Sequence, residues 1–187
     1  AGELGPDSHP CSRPPYLEAE AVGRLLRIAQ AADCPVIIVH LTNHEALREV
    51  EHARQRGQRV YVETCPQYLL LDESLYFNSD YSAAARYVCA PPLRSRTEQE
   101  ALWRALRRGE IQTVSTDHCS FTLAQKDMGR EDFTRIPGGL PGVETRGELI
   151  WSYGVAKRRI TPARMCRVLS ENPARLYGLF PRKGILR

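Results

Sequence analysis

No apolar run in this chain is long enough to cross a membrane. The longest uninterrupted aliphatic stretches are Val36–Val39 and Leu69–Leu71, against the roughly 18 residues that a spanning helix needs. The opening segment, AGELGPDSHP, lacks a basic stretch leading into an apolar one, so no secretory leader is expected there. Residue 1 is not Met, which fits a chain whose translation began upstream. Excess charge of one sign is also missing: 26 Lys and Arg stand against 22 Asp and Glu, a formal net charge of +4 in 187 residues. That balance argues only weakly for a nucleic-acid partner, and none is expected. The clusters Arg104, Arg107, Arg108 and Lys157–Arg159 are short and read as solvated helix faces. Six cysteines are present, at 11, 34, 65, 89, 119 and 166, but no C-x-x-C. Zinc-finger and redox-dithiol readings therefore fail, and reduced thiols in a cytoplasmic protein are expected. With 42% hydrophobic and 26% charged residues, what remains is an ordinary globular composition.

What is there alternates. Residues 16–32 put Leu17, Ala21, Leu25, Ile28 and Ala32 on one helical stripe. Asp33-Cys34-Pro35 stops that helix, and PVIIVH follows as a short β-branched run suited to a strand buried on both faces. Thr42-x-x-Glu45 reads as a capping box opening a second helix to about Arg56, and Gly57 ends it. Arg59–Glu63 is the second expected strand, and residues 64–95 read as irregular. Thr97-x-x-Glu100 reads as another capping box, for a helix ending near Gly109. Ile111–Thr116 is the third expected strand, followed by the Gly- and Pro-rich loop IPGGLPG. Two helices should close the chain, one over about 143–157 and one capped by Thr161 with Pro162 at its first position. Strands alternating with helices imply an α/β protein with a parallel sheet. The pattern alone leaves barrel and open sheet both possible.

Two of these strands end in ionisable groups. PVIIV delivers His40, and IQTVST delivers Asp117 followed by His118. In parallel α/β folds, active sites collect outside the carboxyl ends of strands, and imidazole with carboxylate suits zinc and similar divalent ions. Blander roles fit the same residues. A His closing a strand can be a hydrogen-bonded structural residue, Asp117 can cap a turn, and His118 suits loop packing. His44 and His52 fall on a polar helix face. Cys65, Cys89 and Cys119 lie just beyond strands or candidate strands and read as small packing residues rather than nucleophiles.

The wording of the sequence is more specific than its periodicity. SRPPYLEAEAV (12–22), VHLTNHEAL (39–47), YVETCPQYLLLD (61–72), APPLRSRTEQEALW (90–103), STDHCSFTLAQKDMG (115–129), DFTRIPGGLPGVETR (132–146) and NPARLYGLFPRKG (172–184) occur in one order. From about His9 to Gly184 the chain resembles the hydantoinase/dihydropyrimidinase branch of the metal-dependent cyclic amidohydrolases. The resemblance implies the C-terminal part of a (β/α)8 TIM-like barrel, about the last three strands and their helices, as one partial domain over residues 1–187. It also implies two divalent metal ions, usually zinc, at the C-terminal mouth of that barrel. His40 corresponds to the metal-ligand histidine after the sixth strand. Asp117 corresponds to the aspartate after the eighth, a ligand that also shuttles protons. Ala90 in APPLR and Gly138 in IPGG fall in loops that hold the cyclic substrate partly through main-chain groups. The family commonly has Ser and Asn at those two positions.

Other parts of the family pattern are expected outside this chain. The H-x-H of the first strand, the bridging carboxylated lysine of the fourth and the histidine of the fifth should precede residue 1. The small β-sandwich domain should continue beyond PRKG. The implied reaction is hydrolysis of a ring C–N bond in a hydantoin or dihydropyrimidine, as in pyrimidine degradation, by a cytoplasmic homotetramer, with the isolated chain inactive. Allantoinase- or dihydroorotase-type enzymes are alternatives, against which Gln67 in CPQY favours the hydantoinase side. A non-catalytic, dihydropyrimidinase-like interaction protein is another, against which stands retention of His40 and Thr116-Asp117-His118.

Overall fold

The computed structural model describes residues 4–186, so residues 1–3 and 187 of the expected domain lie outside the described part. A short turn of helix, α1 (Ser8–Cys11), precedes the long α2 (Pro15–Ala31). Strand β1 (Val36–Ile38), helix α3 (His44–Gln55) and strand β2 (Val60–Thr64) follow. The connection expected to be irregular contains two short helices, α4 (Pro66–Leu70) and α5 (Tyr81–Ala85), with a 3-10 turn over Glu73–Phe77 between them. Helix α6 (Arg96–Arg108) leads to β3 (Thr113–Val114), which is much shorter than the run Ile111–Thr116 suggested. Beyond it come α7 (Leu123–Lys126), α8 (Arg146–Leu149), α9 (Pro162–Cys166) and α10 (Asn172–Leu176). Ile150–Val155 and Arg167–Glu171 wind as π-helix, so the helix expected over 143–157 is α-helical only in its first turn.

The three strands form one parallel sheet in the order β1-β2-β3, with Val36 opposite Val60 and Thr64 opposite Val114. Parallel neighbours need helical crossovers, which α3 and α6 supply. The core lies where these helices meet the sheet, around Val50, Val62, Leu102, Leu106, Ile111 and Val114, each nearly inaccessible.

Two local readings are corrected. Asn43, not Thr42, caps α3, its side chain accepting from the Ala46 N–H at 2.9 Å. Ser95, not Thr97, caps α6 by accepting from the Glu98 N–H. In both cases the capping box would have started the helix at the wrong residue, because another short polar side chain nearby reached the orphan N–H groups instead. The stripe of Leu17, Ala21, Leu25, Ile28 and Ala32 does form along α2, but it is not the buried face of that helix. Val22, Leu26 and Ala29 are buried, whereas Leu17, Leu25 and Ile28 are 48%, 45% and 62% exposed. Both stripes are apolar at helical spacing, so periodicity could not tell which one meets α3 and the sheet. Other boundaries agree with expectation: Gly109 closes α6 in the left-handed conformation, and Thr161 caps α9.

Candidate active site at the carboxyl end of the sheet

His40 and Asp117 both lie just past the C-terminal ends of strands in the same sheet, His40 after β1 and Asp117 after β3. Each has left-handed backbone, φ 42° at His40 and φ 47° at Asp117. That conformation is uncommon outside glycine, and such strained residues cluster at functional sites. The chain is pinned on both sides of these points. The Leu41 N–H donates to Glu63 O, and the Thr64 hydroxyl to Leu41 O, tying the end of β1 to β2. The Ser115 N–H donates to Thr64 O at the end of β2, and the Gln67 side chain, from α4, donates to Thr116 O, the residue before Asp117, at 3.3 Å. His40 is half-buried and Asp117 exposed. Among the described residues, no hydrogen bond joins them, and no cluster of three or more His, Cys, Asp or Glu could hold a metal.

Ala90 and Gly138, far apart in sequence, are brought together. A Cβ placed on Gly138 would lie 3.6 Å from both the Cβ and the N of Ala90, ordinary contact. Both residues are exposed, and their neighbours' polar groups are taken. The Val88 carbonyl accepts from the Gly139 N–H and from the Lys126 ammonium, at 3.1 and 2.6 Å. The Cys89 carbonyl accepts from His9 Nε2 at 2.8 Å, and the Pro91 carbonyl from the Tyr68 hydroxyl. The Pro137 and Gly139 carbonyls accept from Lys126 at 2.7 and 2.9 Å. Among the described residues, nothing in the protein bonds the main-chain N–H or C=O of Ala90 or Gly138. Unpaired main-chain groups at an open mouth are available to a ligand.

The remaining titratable groups support this architecture. His118 is a loop-packing residue: its Nδ1 accepts from the Gly142 and Val143 N–H groups, at 3.1 and 3.2 Å. His44 is exposed but not free, since its Nδ1 lies 2.6 Å from a Glu98 carboxylate oxygen. Burial pushes the Cys65 thiol up to about 12 and the Cys89 thiol to about 11, so neither offers a thiolate nucleophile near neutral pH. Cys119 is exposed, and none of the six cysteines is paired with another. Behind the β1 end, buried Arg94 donates to the Thr42 hydroxyl, to Arg13 O and to the Glu18 carboxylate, which also accepts from the Thr42 N–H and hydroxyl.

Sequence reasoning found the strand ends but missed Lys126, His9 and the Arg94–Glu18 pair. Lys126 stood within a quoted motif, yet no spacing distinguishes a buried lysine from a solvated one. Its burial depends on loops distant in sequence.

A family model described as the amidohydrolase family matches residues 13–187. The chain belongs to the amidohydrolase family. It is 47% identical over 188 aligned residues to a D-phenylhydantoinase of Escherichia coli, covering 100% of this chain and 40% of that protein. A crystal structure of dihydropyrimidinase from Brevibacillus agri superposes with a TM-score of 0.96 at 42% identity, again covering 100% of this chain and 40% of the other. An L-hydantoinase (dihydropyrimidinase) from Arthrobacter aurescens gives a TM-score of 0.90 at 32% identity with the same coverage. The chain thus spans about two fifths of the length of these relatives. Among the described residues, no helix is long and apolar enough to cross a membrane.

Proposed function

We propose that residues 1–187 carry the last three strands of a (β/α)8 amidohydrolase barrel. With them comes one side of a catalytic centre that hydrolyses a ring C–N bond in a hydantoin or dihydropyrimidine. The observation that carries this reading is the pair of strand-end donors, His40 and Asp117, both in left-handed backbone at the same end of one parallel sheet. An imidazole and a carboxylate suit a divalent ion, but two donors fall short of the three protein ligands usual for catalytic zinc. The residues present therefore fit part of a metal site. The further ligands, including a bridging carboxylated lysine, would come from outside these 187 residues. Once bound there, a pair of divalent ions, zinc by resemblance, would supply Lewis acidity and a more acidic water.

The protein's own share of the reaction follows from its residues. Asp117 takes the proton of the attacking water and delivers it to the ring nitrogen as the C–N bond breaks. A neutral amide is a weak electrophile with a poor leaving group, so this proton delivery matters. Main-chain groups of Ala90 and Gly138 hold the ring. With Ala and Gly in place of the family's common Ser and Asn, recognition there falls to the backbone.

The open side of the fold supports placing further barrel strands beside β1. A groove of about 540 Å³ runs between α2 and the end of β1, lined by Leu17, Val22, Leu25, Ile38 and His40. Homotetrameric assembly and a cytoplasmic location belong to the same reading. The test is ring opening of hydantoin and dihydrouracil by the complete enzyme and by Asp117→Asn. Normal turnover by that variant, or zinc-dependent hydrolysis by the 187 residues alone, would sink the assignment.

A further inference from the structure

Lys126 is a buried cation at the end of α7, 4% exposed, and among the described residues no carboxylate lies on its ammonium. Its acidic neighbour Asp127 is engaged elsewhere, accepting from the Ser82 hydroxyl and facing Arg130. The three N–H donors of an ammonium are matched instead by three carbonyls, those of Val88, Pro137 and Gly139, at 2.6, 2.7 and 2.9 Å. The Phe121 ring lies 5.5 Å away on the cation side. The carbonyls belong to the two loops that carry Ala90 and Gly138. One side chain thus clasps both.

The direction of that clasp has a consequence for the mouth. In a trans peptide the C=O and the next N–H point to opposite sides. Only Ala90–Pro91 and Phe180–Pro181 are cis among the described residues, so the 137–138 and 89–90 peptides are trans. Lys126 draws the Pro137 carbonyl inward, which turns the Gly138 N–H outward. His9, itself buried, holds the Cys89 carbonyl inward, which turns the Ala90 N–H outward. These are the N–H groups left without a protein partner.

We propose that Lys126, seconded by His9, is a positioning residue that aims the Gly138 and Ala90 N–H groups at carbonyl oxygens of the bound ring. The proposal rests on the reading of these loops as substrate-holding. A neutral donor could satisfy one or two of the carbonyls, whereas the ammonium satisfies all three and fixes the two loops at one spacing. Burial lowers the Lys126 ammonium to about 8, consistent with a charge kept from water for the sake of these contacts.

The test compares Lys126→Met, which keeps the stem and removes every donor, with Lys126→Gln, which retains two. Both are made in the complete enzyme. Amide hydrogen exchange at Gly139, whose N–H bonds Val88 O, reads the clasp directly. Ring-opening kinetics read its purpose. Lys126→Met should speed exchange at Gly139 and raise KM about tenfold or more, with kcat changed by less than about threefold and bound metal unchanged. Lys126→Gln should fall between it and the wild type, and it reads the same quantities if the Met variant does not fold. Unchanged exchange, or faster exchange with wild-type KM, would overturn the proposal. If the wild type opens neither ring, the reading of the site falls and takes the substrate role with it, while the exchange result still decides whether Lys126 holds the loops.

Discussion

The two edges of the sheet are finished differently. At the β3 edge, polar side chains close on the backbone: Asn172 donates to Gln112 O at 2.8 Å, and Arg146 to Val114 O at 3.3 Å. A parallel bridge between His118 and Leu140 extends the pairing past Asp117. At the β1 edge, Val39 is 45% exposed, no side chain among the described residues closes on the strand, and the apolar stripe of α2 faces outward beside it. An open strand edge flanked by exposed apolar side chains is an invitation to association. The contrast teaches that beside Asp117 this chain's own side chains reach the strand backbone. Beside His40, no side chain among the described residues does so, and apolar side chains are exposed.

The sharpest way to probe the finished side is Asp117→Asn in the complete enzyme. We expect kcat to fall by about 10²- to 10⁴-fold, with little change in melting temperature because the side chain is exposed. A comparable loss of stability would instead make Asp117 a structural cap.

The open side is probed with two adjacent leucines. Leu26→Ala, on the buried face of α2, should cost about 2–5 kcal/mol in urea unfolding of the isolated chain. Leu25→Ala, on the exposed face, should cost less than about 0.5 kcal/mol there. If barrel strands cover that face in the complete enzyme, Leu25→Ala should become costly in that context. Equal, small effects in both would break the comparison.

A pH series tests the packing behind the mouth. Burial, reinforced by the nearby Arg13, Arg94 and Lys126 charges, lowers His9 from 6.5 to about 4 against the opposing pull of the Cys89 carbonyl. Between those values the unfolded chain binds a proton that the folded chain refuses. Stability should therefore hold above pH 6.5 and fall as pH drops through the window, by about 3 kcal/mol in all. His9→Gln should flatten that part of the profile; a profile unchanged by the substitution would refute the role.

The smallest stability effect is expected at Gly138→Asn. The added Cβ meets only ordinary contacts, at 3.6 Å, so unfolding should shift by less than about 0.5 kcal/mol. Relative rates on hydantoins with small and bulky ring substituents should change, because the new side chain enters the mouth. Unchanged selectivity would remove Gly138 from the substrate contacts.

Much of this is readable in the sequence. PVIIVH and IQTVST announced strands with donors at their carboxyl ends, and the structure has parallel strands inside both runs, β1 ending at Ile38 and β3 at Val114. What could not be read were choices between equivalent local options. Thr42 and Asn43 are both capable caps, and only the geometry of the turn let Asn43 reach the Ala46 N–H. Two apolar stripes on α2 compete, and tertiary packing picked Val22, Leu26 and Ala29. The pairing of Ala90 with Gly138 needed loops nearly fifty residues apart to meet over one lysine.

The sequence by itself determined the alternation of strands and helices, because β-branched runs, caps and breakers act over a few residues. It also determined the family, because long motifs in a fixed order carry information that no single spacing does. Only the tertiary structure decided which face of α2 is buried, that Lys126 is a clasp rather than a surface charge, and that two main-chain N–H groups are left free at the mouth. These depend on contacts between distant segments, where a buried polar group must find partners, and no local pattern records which partners those will be.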